Sequence, residues 1–182
     1  TTFTEKIMFT LITGAPGNGK SLMAETIITH DAPQKLYYIA TMHKYDEECE
    51  KRVARHRAMR AQKGFETFEQ YLDISQIPVQ SNSCYLLECI PNLLANEMFD
   101  TLGAKEMAVD KILSDRAYFK ANSQNFVVVT NEVASDGRVY DEFSTEYIKN
   151  IVEINCRAAA IADTVIECVA GIPIYLKGES YD

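Results

Sequence analysis

Eight residues constrain this chain more than any others: Gly14-Ala15-Pro16-Gly17-Asn18-Gly19-Lys20-Ser21. They match the pattern G-x-x-x-x-G-K-[ST]. The apolar run Met8 to Thr13 leads into them, and about Lys20 to Thr29 reads as a helix leading out. The glycines let the backbone turn until successive N–H groups converge, and the helix N-terminus adds its own donors, which makes an anion nest. In such a loop Lys20 reaches the β- and γ-phosphates of a nucleoside triphosphate, and the Ser21 hydroxyl ligates Mg²⁺. A buried strand that feeds a helix through so tight a turn belongs to a layered α/β sheet.

The rest of the chain keeps that alternation. Leu36–Ala40, Tyr85–Ile90, Phe126–Thr130 and Thr164–Ala170 read as strands, the last of these being the last clear one. Helices are expected at Asp46–Gln62, from Pro91 onward, at Lys105–Ala121 and at Glu142–Ala162. Phe65–Tyr71 reads ambiguously as a short strand, and Gln76–Ser83 as a loop. The expected architecture is an α/β P-loop NTPase fold, with a mostly parallel central sheet flanked by helices and joined by right-handed crossovers. At 182 residues the chain suits one nucleotide-binding domain over 1–182, with 1–7 an extra segment ahead of the first strand.

Composition narrows the functional classes. No apolar run reaches the roughly 18 to 20 residues that span a bilayer. Thr1 to Ile7 lacks the basic start and apolar stretch of a signal peptide. The five cysteines include no C-x-x-C pair, which argues against both a disulfide framework and a zinc site; Cys84 and Cys89 lie in an apolar run as core residues. A cytoplasmic protein is expected. A net charge of -8 opposes nucleic acid as the main partner. Yet Lys51, Arg52, Arg55, Arg57, Arg60 and Lys63 occur with no acid among them, an arrangement suited to a small anion.

His56 lies within that segment. Arg52, His56 and Arg60 are spaced i, i+4, i+8 and share one helix face. Neighbouring guanidinium groups disfavour a second positive charge, so they keep the imidazole neutral. A neutral imidazole in a cationic setting can attack phosphorus while the arginines stabilise the non-bridging oxygens. The plainer reading is a solvated helix whose early acids (Asp46, Glu47, Glu48, Glu50) and later bases suit its dipole. His30, after the first helix, and His43, after the second strand, are read as bystanders.

At this point the sequence resembles a known family, the bifunctional adenosylcobinamide kinase / adenosylcobinamide-phosphate guanylyltransferases. The pieces that carry the resemblance, in order, are the phosphate loop, Tyr38 to Thr41, Arg52 to Arg57, Leu86 to Cys89 with Asn96 beyond, Val129 to Val133, Ala162-Asp163 and Gly171-Ile172-Pro173. The resemblance implies two reactions in cobalamin biosynthesis. The hydroxyl of adenosylcobinamide is phosphorylated by ATP or GTP, and GMP then passes from GTP to adenosylcobinamide phosphate through a histidine that the motif places at His56. It also implies nucleotide contacts along Gly14 to Ser21, at Ala40, Thr41 and Met42, at Arg57 and Arg60, and at the acids Glu69 and Glu88. Glu88 ends a strand, where a carboxylate can hold Mg²⁺ with Ser21. A homotrimer is implied as well. Asn131 and Glu132 follow the most apolar strand, at the edge where α/β sheets place their ligand crevice, and are candidates for substrate contact. The chain departs from the family in having Ala15 and Gly17-Asn18 where a second glycine and an Arg-Ser pair are usual, and in lacking the Gly-x-Gly-Ile-Val-Pro run after Val133. Two other functions fit the phosphate loop: a small-molecule kinase with no covalent step, and a non-catalytic GTP-binding regulator.

Overall fold

A computed structural model describes residues 8–30, 35–43, 47–133 and 141–179. Seven strands form one sheet: β1 (Met8–Thr13), β2 (Lys35–Ala40), β3 (Phe65–Glu69), β4 (Ser83–Glu88), β5 (Asn125–Val129), β6 (Thr164–Val169) and β7 (Ile172–Lys177). Their order is β3-β2-β4-β5-β1-β6-β7. Every neighbouring pair is parallel except β6 and β7, so the expected α/β architecture holds. Among the described residues five α-helices connect them: α1 (Lys20–Thr29), α2 (Glu47–Gln62), α3 (Ile90–Phe99), α4 (Ala108–Asn122) and α5 (Glu142–Ile161).

The strands are apolar on both faces because helices cover both, and successive side chains alternate between two cores. Phe9, Leu11, Tyr37, Ile39, Tyr85, Leu87, Phe126 and Val128 meet α3, α4 and α5 through Leu93, Ile112, Phe119 and Ile154. Ile12, Tyr38, Cys84, Leu86, Val127 and Val129 meet Ala24 and Ile28 of α1. On the first face, rings pack across the strands. Phe126 stacks on Phe119 at 4.9 Å between centroids, Phe119 meets Tyr85 edge-on at 5.2 Å, and Tyr85 stacks on Tyr37 at 5.0 Å. Such contacts add to simple burial.

Three local expectations are corrected. The strand read as Tyr85–Ile90 runs from Ser83 to Glu88, because Ile90 and Pro91 already begin α3. The Lys105–Ala121 helix opens as one 3₁₀ turn at Lys105–Met107 before α4 proper. The strand read as Thr164–Ala170 ends at Val169 and is followed by one more. Ala170 (φ 51°) and Gly171 (φ 80°) turn the chain back into β7. Two consecutive residues of positive φ are what a tight hairpin needs, and an edge strand tolerates Pro173. The ambiguous Phe65–Tyr71 segment supplies the edge strand β3.

Candidate active site

The phosphate loop leaves β1, which lies between β5 and β6 in the sheet. Gly14 has φ 140°, and a Cβ there would sit 2.5 Å from the Cys168 carbonyl oxygen of β6, so only glycine lets the loop lie against that strand. Gly17 (φ 78°) and Gly19 (φ 90°) complete the turn, while Ala15 and Pro16 are exposed. Asn18 ties the loop to the β6–β7 hairpin. Its carbonyl accepts from the Gly171 N–H at 2.9 Å, and its Nδ2 donates to the Cys168 carbonyl at 3.4 Å.

Lys20 is 6% exposed, and its Nζ donates to the carbonyls of Gly14 (2.8 Å) and Ala15 (2.6 Å). Burial lowers the ammonium pKa, with Cys168, Cys89 and Glu88 acting against that shift. The ammonium is therefore held inside the turn, where phosphate oxygens would be.

Glu88, the last residue of β4, joins the loop to the neighbouring strands. Its Oε1 accepts from Ser21 Oγ and its Oε2 from Tyr38 Oη at 3.0 Å. Burial, and then the adjacent Glu88 carboxylate, push the Tyr38 phenol well above its ordinary pKa, so it stays a donor. The Arg60 guanidinium of α2 lies 3.6 Å above the Tyr38 ring centroid. Arg60 is 8% exposed, and its Nε has no hydrogen-bond partner among the described residues. A buried guanidinium N–H without an acceptor is costly, and a phosphate oxygen would satisfy it.

These groups line a cavity of about 360 Å³ together with Glu25, Ala40, Met42, Val53, Glu69 and Tyr71. Arg57 Nη1 pairs with Glu69 Oε1 at 3.4 Å on its rim. Thr41 is fully buried and works from behind. Its Oγ1 accepts from the Cys89 N–H at 2.9 Å, and its backbone carbonyl accepts from Asn96 Nδ2 at 2.8 Å. Asn131 and Glu132 sit beside the loop and not on this cavity: the Glu132 N–H donates to the Gly14 carbonyl at 3.2 Å, and the Asn131 carbonyl accepts from Asn155 Nδ2 at 3.0 Å. His30 caps α1 through its backbone N–H, and the His43 ring packs against Tyr71 at 4.2 Å. His56 lies on α2; its side chain, with those of Arg52 and Arg55, is outside the described residues.

Sequence reasoning gave no site role to Tyr38, Glu25 or Tyr71, although Tyr38 opens one of the segments that carry the family resemblance. No local pattern marks Glu25 or Tyr71, and Tyr38 has only the strand parity of the α1 face. Among the described residues no three His, Cys, Asp or Glu side chains cluster as a ready-made metal cage. The donor set here is one hydroxyl and one carboxylate, which suits Mg²⁺ completed by phosphate oxygens and water.

Comparison with known proteins agrees with this geometry. A family model described as cobinamide kinase / cobinamide phosphate guanyltransferase matches residues 10–176. The bifunctional adenosylcobalamin biosynthesis protein CobU of Escherichia coli K12 is 31% identical over 93% of this chain and 100% of its own length. The protein of that name from Salmonella typhimurium is 32% identical over the same shares. The CobP protein of Pseudomonas aeruginosa is 27% identical over 93% of this chain and 97% of its own. Among solved structures, a KaiC-like protein from Pyrococcus horikoshii is 11% identical, with a TM-score of 0.50 over 89% of this chain and 72% of its own, and shares the fold.

Proposed function

The chain belongs to the cobinamide kinase / cobinamide phosphate guanyltransferase family, and on that premise we propose that it performs both reactions in one domain, 1–182. In the first, the substrate hydroxyl of adenosylcobinamide attacks the γ-phosphorus of ATP or GTP, the bond to the β-bridging oxygen breaks, and a nucleoside diphosphate leaves. In the second, a ring nitrogen of His56 attacks the α-phosphorus of GTP and pyrophosphate leaves. The phosphate of adenosylcobinamide phosphate then takes the GMP group, and the phosphorus–nitrogen bond breaks.

The observation that carries this reading is the cavity where Ser21, Glu88 and Arg60 meet. Ser21 and Glu88 would hold Mg²⁺, which when bound neutralises charge on the β- and γ-phosphates. Lys20 and the loop N–H groups orient the triphosphate, and Arg60 Nε supplies a donor in a place where water is scarce. Val53 and Arg60 of α2 both line the cavity, and position 56 falls between them at helical spacing. Ala40, Met42, Arg57 and Glu69 form the walls and rim. Asn131 and Glu132, beside Gly14, would contact the acceptor substrate. We further propose a homotrimer, which rests on the family resemblance, and a cytoplasmic location, which rests on the cysteine usage; sedimentation of the purified protein tests the trimer.

The test is incubation with GTP labelled at the α-phosphate and, separately, at the γ-phosphate. Denatured protein is expected to retain the α-label only, in an acid-labile and alkali-stable linkage. His56→Ala should lose the label while keeping its fold, and Lys20→Ala should lose GTP affinity. Turnover of adenosylcobinamide with neither label retained would leave a kinase without a covalent step, and GTP binding with no turnover at all would leave the regulator.

A further inference from the structure

Helix α1 separates two cavities. Ser21 and Glu25, one turn apart, face the cavity described above. Met23, Thr26 and Ile27 face the other way, toward a second cavity of about 340 Å³ closed by Pro173 and Tyr175 of β7. Its upper end is formed by Gly19 of the phosphate loop and by Gly171 of the hairpin turn. The N–H of Gly171 is bonded to Asn18 of the loop, so the position of this cavity relative to the loop is fixed. The volume lies within the roughly 300–1,000 Å³ typical of small-molecule sites.

The two cavities differ in chemistry. The first contains Glu25, Glu69, Glu88 and Arg60. Among the described residues the second has no carboxylate, guanidinium or ammonium in its lining; Thr26, His30 and Tyr175 are its polar side chains, and its walls are mainly apolar. A triphosphate bound to donate its γ-phosphate has a direction. Its γ-phosphate end faces Ser21 and Glu88, because the metal and Lys20 act on the β- and γ-phosphates, while the loop N–H groups cradle the α- and β-phosphates. The nucleoside must leave from the α end. The second cavity begins at Gly19, on the flank of α1 away from Glu88, and offers apolar faces for a flat ring.

We propose that the cavity between α1 and β7 takes the base of the nucleoside triphosphate that donates its γ-phosphate; the guanylyl donor must instead bring its α-phosphorus to α2, whose Val53 and Arg60 line the first cavity, so its base sits in that cavity. This rests on the two-reaction reading above and deepens it: one phosphate loop serves two nucleotides whose bases lie on opposite flanks of α1. The lining carries few groups that could read a base edge, so the kinase donor site accepts adenine and guanine alike, with affinities within about five-fold.

Thr26 is exposed at the middle of α1 and borders the cavity, so Thr26→Phe fills it without touching the loop. The expected result is at least a ten-fold loss of affinity for the non-hydrolysable ATP analogue AMPPNP. Affinity for inorganic tripolyphosphate and α-label retention from GTP should stay within two-fold. Unchanged tripolyphosphate binding also shows that the variant is folded. In the unsubstituted protein, photolabelling with 8-azido-ATP should mark peptides from residues 20–30 or 172–177. Label on α2 or β2, unchanged AMPPNP affinity in Thr26→Phe, or equal loss of kinase and guanylyl transfer would overturn the proposal. So would a selective loss of cobinamide affinity, which would place the corrinoid there. Lys20→Ala separates the two levels. If it leaves tripolyphosphate affinity intact, the phosphate-loop reading itself fails; if it abolishes that affinity while Thr26→Phe has no effect, only the base assignment fails.

Discussion

At the scale of single residues, Tyr38 couples two parts of the site that the sequence shows separately. Its hydroxyl donates to Glu88 and its ring lies beneath Arg60. Tyr38→Phe keeps the ring and removes the donor. Glu88 then retains Ser21 alone, and a hydrogen bond to a charged group contributes about 1.5–3 kcal/mol. The variant should need several-fold more Mg²⁺ for half-maximal phosphoryl transfer while binding tripolyphosphate in the absence of metal as before; an unchanged Mg²⁺ requirement would show that Tyr38 does not position Glu88. Gly14, Lys20, Ser21 and Glu88 were legible in the sequence because a motif and a strand end specify them locally. Tyr38 and the orphaned Nε of Arg60 were not. Their roles arise where β2, β4 and α2 meet, and no spacing along the chain encodes a contact between a ring and a guanidinium from different elements.

At the scale of elements, the connection between β3 and β4 shows how a loop is held. Asp73 has φ 46°, and its N–H donates to the buried Glu97 of α3 at 2.8 Å. Its carboxylate accepts from Lys111 of α4, from Ser75 at 2.6 Å and from Gln76 at 3.0 Å. The Lys111 hydrogen bond, with that from Ser75, holds the Asp73 carboxyl below its ordinary value of 3.8. A depressed carboxylate pKa contributes stability that is present above the unfolded value and is lost as pH falls through the folded one. Asn tolerates positive φ, so Asp73→Asn isolates the charge. Its stability deficit against the parent should be constant above pH 3.8 and shrink below it, as read from urea midpoints across that range; a deficit that does not change with pH would show that the charge is idle. The sequence indicated which segments are strands and helices, because apolar runs and Pro91 are local signals. It hid β7, whose burial is slight and whose partner lies only across a two-residue turn.

At the scale of the whole molecule, one sheet spans residues 8 to 177, and its strands contribute alternate side chains to both cores. Neither core can be lost without the other, since they share their backbones. Urea unfolding followed by far-ultraviolet circular dichroism and by tyrosine fluorescence should therefore give coincident transitions, as expected of one cooperative unit. The chain has ten tyrosines and no tryptophan, so the second probe is clean. Separate midpoints would indicate two units. The stitching of the phosphate loop to the last hairpin also sets an order in time. Asn18 and Cys168 are 150 residues apart, yet they are bonded to one another. A ribosome releases the loop well before its brace, so a nascent chain carries the complete triphosphate motif for some 150 residues of synthesis without the strand that shapes it. Nucleotide can reward folding only once β6 and β7 have emerged, and a chain cut short before β6 should be unable to capture it.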